Sequence, residues 1–446
     1  MRTTLCWRYE VMDKMGVCRM KVALLTMFNG LTSTYSIVNV VAEQLRMLLD
    51  NQIETKLLVS EHCPDTEKYG VFLDERIQWV KIVNQIDGKQ IHWRDYSEPN
   101  GKVHDTFFQE ADAIAESLVE HLSDVDVCFL HDIHYQGWHL VHNVALRKAQ
   151  QHLPNVRFIA FTHSAPVNHP ANTEWPFSAR YSPMPKTTYI YPTQSGIPAL
   201  ARQYRIPEGR CRVVNNSLDL LAFASEEVQA IAKETDLLSP DFLVVYPGRL
   251  TPGKKFEKVA ALCGAIKKSS EQTVKIVFCD FPSRDIEPEK YKILIQLQGR
   301  LHGLDNEDVV FTSDIGFPHG FPRKGVLELF SLSNLFICPS FSESFGLTVL
   351  EAASRGNFLV VNEAVPALEE VGKQLNAYFM KWDARNFGYD TKETYHPSEK
   401  DYYEEHGAKI VQTMRENPVV HAKTLARQRY SPQWVWRNQL EPLLEG

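Results

Sequence analysis

Glu343 and Glu351 stand eight positions apart in the segment PSFSESFGLTVLEAASRG (339–356). The apolar run NLFICPS before them reads as a buried parallel strand that breaks at Pro339 and Ser340 into a short polar loop. The pattern predicts a helix beginning near Ser344 as N-cap, with Gly346 in its first turn and Leu347, Leu350 and Ala353 on its buried side. A strand that runs through a loop into a helix N-terminus makes an anion site. The amides of Phe345, Gly346 and Leu347 would face a phosphate or a sugar hydroxyl, and the positive end of the helix dipole favours negative charge. Gly346 would let the ligand approach the backbone closely. Glu343 in the loop and Glu351 about two turns inside would accept hydrogen bonds from neutral hydroxyls on either side of that phosphate. This is chemistry suited to a sugar nucleotide. The plainer alternative is a capped surface helix with two solvated carboxylates.

Strand, Pro-Ser, Glu, Ser-Phe-Gly-Leu and Glu-Ala in this order resemble the E-x7-E signature of retaining family 4 glycosyltransferases, which have the GT-B fold. PGRLTPGKK (247–255) is similar to the family's Gly-Arg-Leu-x-x-x-Lys element through Gly248, Arg249, Leu250 and Lys254; Lys255 stands where a glycine is usual. Breaking a sugar–phosphate bond builds charge on the diphosphate, and a guanidinium with an ammonium can stabilise it as it develops. The resemblance implies catalytic roles for His163, Arg249, Lys254 and Glu343. It implies donor contacts from Gly30, Ser344, Phe345, Gly346, Leu347 and Glu351, and from Ile315, with the base near 314–316. His163 ends the strong run RFIAFTHSAP, and FTHS is similar to the family's pattern beside the donor sugar. His131, Asp132 and His134, in HDIHY, are acceptor-side candidates or ordinary loop residues.

Positioning these residues calls for an α/β chain. Apolar runs alternate with amphipathic stretches almost throughout, as in parallel α/β folds. Strands are expected at 21–27, 54–60, 77–83, 126–130, 156–162 and 187–192, then at 242–246, 274–279, 309–312, 335–338 and 358–361. Helices are expected at 34–50, 104–122, 138–152 and 195–204. Gly30 lies in the turn after the first strand, where it suits either a loop near the diphosphate or a plain βα turn. The polar, Pro-rich stretch 168–186 interrupts the alternation, as surface insertions do. RVVNNSLD (212–219) resembles the family's domain junction without its glycine, and QWVWRNQLEPLL resembles the C-terminal helix that crosses back in GT-B enzymes. The expected division is 1–216 as an acceptor-side Rossmann-like domain, 217–425 as a nucleotide-sugar-binding one and 426–446 as the returning helix. In GT-B enzymes two such doubly wound parallel-sheet domains face a cleft. Residues 313–326, with His319, Arg323 and Lys324, form a longer loop than the family pattern and leave the nucleotide open.

At 446 residues the chain is too long for one core, and 44% apolar with 23% charged residues is an ordinary globular composition. Eight scattered cysteines without a Cys-x-x-Cys pair suggest a reducing, cytoplasmic setting. No run is long and apolar enough to span a membrane, and no signal-peptide core is evident. The formal charge of −7 gives no general attraction to nucleic acid. Asp124 and Asp126 form the bare Asp-x-Asp of metal-dependent transferases, yet they precede their strand, at the wrong end of a parallel sheet. No cofactor and no metal are therefore expected, only a nucleotide-diphosphate sugar as co-substrate. The functional expectation is a metal-independent, retaining hexosyl- or pentosyltransferase. A phosphorylase-like sugar-phosphate enzyme and a non-catalytic nucleotide-sugar-binding protein are the alternatives. The acceptor hydroxyl can belong to a small sugar, a glycan, a protein or modified DNA.

Overall fold

The computed structural model describes residues 20–90, 95–98, 101–167, 173–283, 286–382 and 399–446. The N-terminal nineteen residues and 168–172 of the Pro-rich stretch lie outside them. The described residues form two compact units: those up to 217 together with 432–446, and those from 218 to 431.

The first unit holds seven parallel strands: β1 (Lys21–Leu25), β2 (Glu54–Ser60), β3 (Ile77–Ile82), β4 (Val127–His131), β5 (Arg157–Phe161), β6 (Thr187–Tyr191) and β7 (Cys211–Val213). Their order is β3-β2-β1-β4-β5-β6-β7. Central β4 is buried at every position, which is why VCFLH shows no alternation. The helix Ser36–Asp50 turns Ile37, Val38, Val41, Leu45 and Leu48 inward, at helical spacing.

The second unit holds six parallel strands: β8 (Phe242–Arg249), β9 (Val274–Phe281), β10 (Val309–Phe311), β11 (Leu335–Cys338), β12 (Phe358–Asn362) and β13 (Tyr378–Met380). The order is β10-β9-β8-β11-β12-β13. Both sheets are parallel and doubly wound, the architecture that the GT-B expectation requires of each domain. β7 and β13 were not expected from the sequence; each is three residues long and carries too little pattern to read.

The return to the first unit comes later than expected. Residue 425 lies inside the helix Pro418–Arg429, and the chain leaves the second unit only after Ser431. Arg427 fixes this. Its buried guanidinium donates to the carbonyls of Leu238 (2.7 Å) and Pro240 (2.6 Å), which binds the whole helix to that unit. Beyond Pro432, the buried side chains of Val435, Trp436, Leu440 and Leu444 join the first unit's core beside Val22, Leu24 and Ile37. Asn215 and Gln439 exchange two hydrogen bonds at 2.7 and 2.6 Å, locking the outgoing chain to the returning one.

Asp124 and Asp126 serve the amino edge of the first sheet. Asp126 accepts the Lys21 amide at 2.7 Å, and Asp124 pairs with Lys21 at 2.8 Å and with the buried Lys56. Burial opposes the Asp124 charge, but the two lysines outweigh it and lower the carboxyl to about 2. A depressed carboxyl pKa gives stability that is complete above the ordinary 3.8 and is lost as pH falls through about 2. With half of the side chain exposed, the discounted contribution is about 1 kcal/mol. Asp124→Asn should therefore lower the unfolding free energy by about that amount at pH 7. The difference from the parent should shrink between pH 4 and 2 in urea titrations; a difference that stays constant would refute the clamp.

Candidate functional site

Parallel strands deliver every strand's following loop to one edge. Where the strand order reverses, the loops on either side lead to helices on opposite faces and part to leave a crevice. In the second unit the reversal falls between β8 and β11. Arg249 is the last residue of β8, exposed, with no ion-pair partner among the described residues. A 3-10 turn, Pro252–Lys254, follows, and Lys255 takes φ 58° before the helix Phe256–Ser270. That left-handed backbone explains why a glycine suits the position; the Lys255 ammonium lies 5.0 Å from the centre of the Phe341 ring. Across the reversal, Lys254 forms an ion pair with Glu343, from the loop after β11. The buried Tyr246 hydroxyl donates to the Lys254 carbonyl at 2.6 Å and meets Ser340 Oγ at 3.2 Å, so one side chain braces both loops.

The helix begins at Leu347, two residues later than expected, and Gly346 rather than Ser344 is its cap. Gly346 has φ 88°, and a Cβ there would sit 3.0 Å from Leu368 and 3.3 Å from Val349. This is backbone that a side chain would strain. The buried face also differs from the expected one: Val349 and Ala352 form it, Leu350 and Ala353 pack partly, and Leu347 is exposed. Val349 is the first amide to bond back, to the Gly346 carbonyl at 2.9 Å, so the amides of Phe345, Gly346 and Leu347 precede the ladder. Glu351 consequently sits in the second turn. Its Oε1 accepts from Arg323 Nε at 2.9 Å and Nη2 at 2.6 Å. Glu343 and Glu351 thus belong to separate ion pairs. Ser344 is an exposed loop residue, its hydroxyl free of any capping role.

Ile315 closes the turn Thr312–Ile315 after β10 and packs partly on the core, with Gly316 at φ 102° behind it. Ser313 Oγ donates to Asp280 at 2.6 Å, and Lys292 pairs with Asp314. Burial pushes the Asp280 carboxyl up.

In the first unit the order reverses between β1 and β4, the strands that precede Gly30 and Asp132. Gly30 lies against Glu67, whose Oε2 accepts the Leu31 amide at 2.8 Å; a Cβ on Gly30 would come within 2.8 Å of that oxygen. The loop after β1 is therefore braced by a carboxylate. Asp132 takes φ 58° and accepts the His163 amide at 2.9 Å. His131 Nδ1 and His163 Nε2 meet at 3.0 Å with their rings stacked, and His134 bonds Thr162 Oγ1 at 2.9 Å. Burial pushes His163 down and Asp132 up, and the attraction between them opposes both shifts. Burial holds His131 well below its usual range and His134 at about 3. His134, at 1% exposure, lies in the turn after β4. Glu67 and Arg323 are the neighbours whose contacts could not be read in advance. Arg323 stood out only as part of a long loop, and Glu67 had no motif.

Residues 227–382 match the family model described as "Glycosyl transferases group 1", so the second unit carries a group 1 glycosyltransferase domain. No curated protein matches the chain. Among solved structures, a glycosyltransferase from Rickettsia africae is 14% identical, with 96% of this chain and 99% of that one covered and a TM-score of 0.36. Anabaena HepE in complex with UDP and glucose is 14% identical, over 96% and 100% of the chains, at a TM-score of 0.35. Sucrose-phosphate synthase from Thermosynechococcus elongatus is 13% identical, over 96% and 99%, at 0.36.

The buried histidines give the first unit a pH dependence. His134 and His139, lowered by burial to about 3 and 4, stay neutral in the fold, as does His142 beside His139. The unfolded chain takes up these protons near pH 6.5, so stability falls as pH drops below that value, by up to about 1.4 kcal/mol per pH unit for each histidine. Urea unfolding at pH 7 and 5 should show this loss, and His142→Leu should flatten it. Equal pH slopes for the parent and the variant would refute the assignment.

Proposed function

We propose, from a second unit that carries a group 1 glycosyltransferase domain, that the protein transfers a sugar from a nucleotide-diphosphate donor to a hydroxyl acceptor with retention of configuration. The observation that carries this is the Lys254–Glu343 pair at the strand-order reversal, with Arg249, which has no ion-pair partner among the described residues, on one side and the Gly346-capped amides on the other. A diphosphate placed there meets two cations and a helix N-terminus, and Glu343 beside them can accept from the hydroxyls of the transferred sugar. Lys254 is then shared. Its ammonium holds Glu343 in place and stands ready for the phosphate.

The proposed step breaks the bond from the anomeric carbon to the phosphate oxygen and forms one to the acceptor oxygen on the same face. The acceptor proton passes to the departing diphosphate oxygen. Arg249, Lys254 and the Phe345–Leu347 amides stabilise the charge that builds there, with no step assigned to a metal ion. Ile315 and its turn are proposed to border the nucleotide base, and Ser344 the sugar. In the first unit, Gly30, His131, Asp132 and His163 are proposed as acceptor-side and transfer groups, with buried His134 supporting them. Asp132, a carboxylate in left-handed backbone at a switch point, suits a hydroxyl-orienting role.

Arg249→Ala and Lys254→Ala should each lower turnover on the order of 10²-fold, while affinity for the nucleoside without phosphates stays within about 2-fold. Near-normal turnover in both variants would move the phosphate clamp elsewhere.

The reaction itself is tested by incubating the protein with a panel of nucleotide sugars and cell extract, then following nucleotide release and products. Proton NMR of the first-formed product from an α-linked donor should show an α-linkage. A β-linked product would overturn the mechanism.

A further inference from the structure

The segment 313–326 is rich in Pro, Gly and Phe, and its fold shows what that composition does. Phe317 and Phe321 pack edge to face at 4.8 Å, and a Cβ on Gly325 would meet the Phe321 ring at 2.6 Å. Pro322 then caps the helix Arg323–Leu332, its carbonyl accepting from Val326 at 3.0 Å. The segment is thus a pinned platform whose product is the placement of Arg323. Helix stability does not call for an arginine there, because a cation in the first turn opposes the helix dipole. Lys324 reaches forward to Glu328 at 3.7 Å and does not compete for Glu351.

Arg323 is 72% exposed at its side chain, whereas Glu351 is 12% exposed. Both guanidinium contacts, at 2.9 and 2.6 Å, fall on the same oxygen, Oε1. A side-by-side fork would occupy both oxygens; this one leaves Oε2 outside the pair. A glutamate on a helix surface normally rotates freely about its last torsion, and anchoring one oxygen fixes where the other points.

We propose that Arg323 is a positioning residue for the donor. It holds Glu351 by Oε1 so that Oε2 is aimed at the vicinal hydroxyls of the donor's ribose. The proposal rests on the donor-site reading above. Arg323 acts through Glu351, and its effect should therefore vanish whenever either Glu351 or the ribose hydroxyls are missing.

The test is calorimetric binding of UDP, with ADP and GDP in parallel, to the full chain and to Arg323→Ala, Arg323→Lys, Glu351→Ala and the double variant R323A/E351A. Whichever diphosphate binds most tightly is then compared with its 2′,3′-dideoxy form. Arg323→Ala should weaken the ribonucleotide about 5-fold, the scale of one exposed charge pair, with kcat at saturating donor within about 2-fold. Arg323→Lys should restore part of the loss. Adding Arg323→Ala to Glu351→Ala should cost nothing further, and the dideoxy form should bind the parent and Arg323→Ala alike. The positioning role is overturned by unchanged ribonucleotide affinity in Arg323→Ala, or by a loss that persists without Glu351 or with the dideoxy ligand. If the parent chain binds no nucleoside diphosphate at all, the donor-site reading falls, and the role of Arg323 falls with it.

Discussion

Parallel pairing is the constraint on which the rest of this molecule depends. Strands that all run one way must send their carboxyl ends, and the loops that follow, to a single edge of the sheet. Chain order then decides which loops part. In both units the first strand sits between the second and the fourth, so the crevice opens beside the first strand each time. Gly30 and Asp132 flank it in one unit, and Arg249, Lys254 and Glu343 flank it in the other. The opposite edge receives the structural charges. Asp124, Lys21 and Lys56 tie strand beginnings together there, far along the strands from any residue of the candidate site.

The carboxylates of the second unit are held before any ligand is present. Glu343 is paired with Lys254, and Glu351 with Arg323. Such pairs add little to stability where they are exposed, but each limits the directions its carboxylate can take. Preorganisation of this kind lowers the ordering cost of binding a flexible, hydroxyl-rich ligand. Tyr246 extends the principle to the backbone, since its buried hydroxyl couples the loop that carries Lys254 to the loop that follows β11.

The first unit shows the other side of burial. His131, His134 and His142 are each at most 2% exposed. They are hydrogen-bonded neutral groups, at the end of β4, in the turn after it and in the helix Leu140–Gln150, and desolvation rather than any charged partner sets their protonation. Asp132 and His163 are less enclosed, in contact, and pushed toward neutrality from opposite sides.

Much of this was legible in the sequence, because a strand buried on both faces must be apolar throughout and a half-buried helix must repeat at 3.6 residues. FLVVY and LFIC sit where those runs placed them and VCFLH within one residue, and QWVWRNQLEPLL, read as a returning helix from its resemblance, buries Trp436, Leu440 and Leu444 in the first unit's core. Three-residue strands such as Tyr378–Met380 left no pattern to read. Local preference also misplaced a boundary. Ser344 is the better N-cap by composition, yet the chain turns left-handed at Gly346, where a Cβ would also crowd Leu368 of another element. Likewise, nothing in the chain order joins Arg323 to Glu351, Lys254 to Glu343 or Glu67 to Gly30. The sequence determined which groups reach the carboxyl edge of each sheet. Only tertiary structure decided which of them touch, because side-chain contact depends on distances across strands and loops that no single segment encodes.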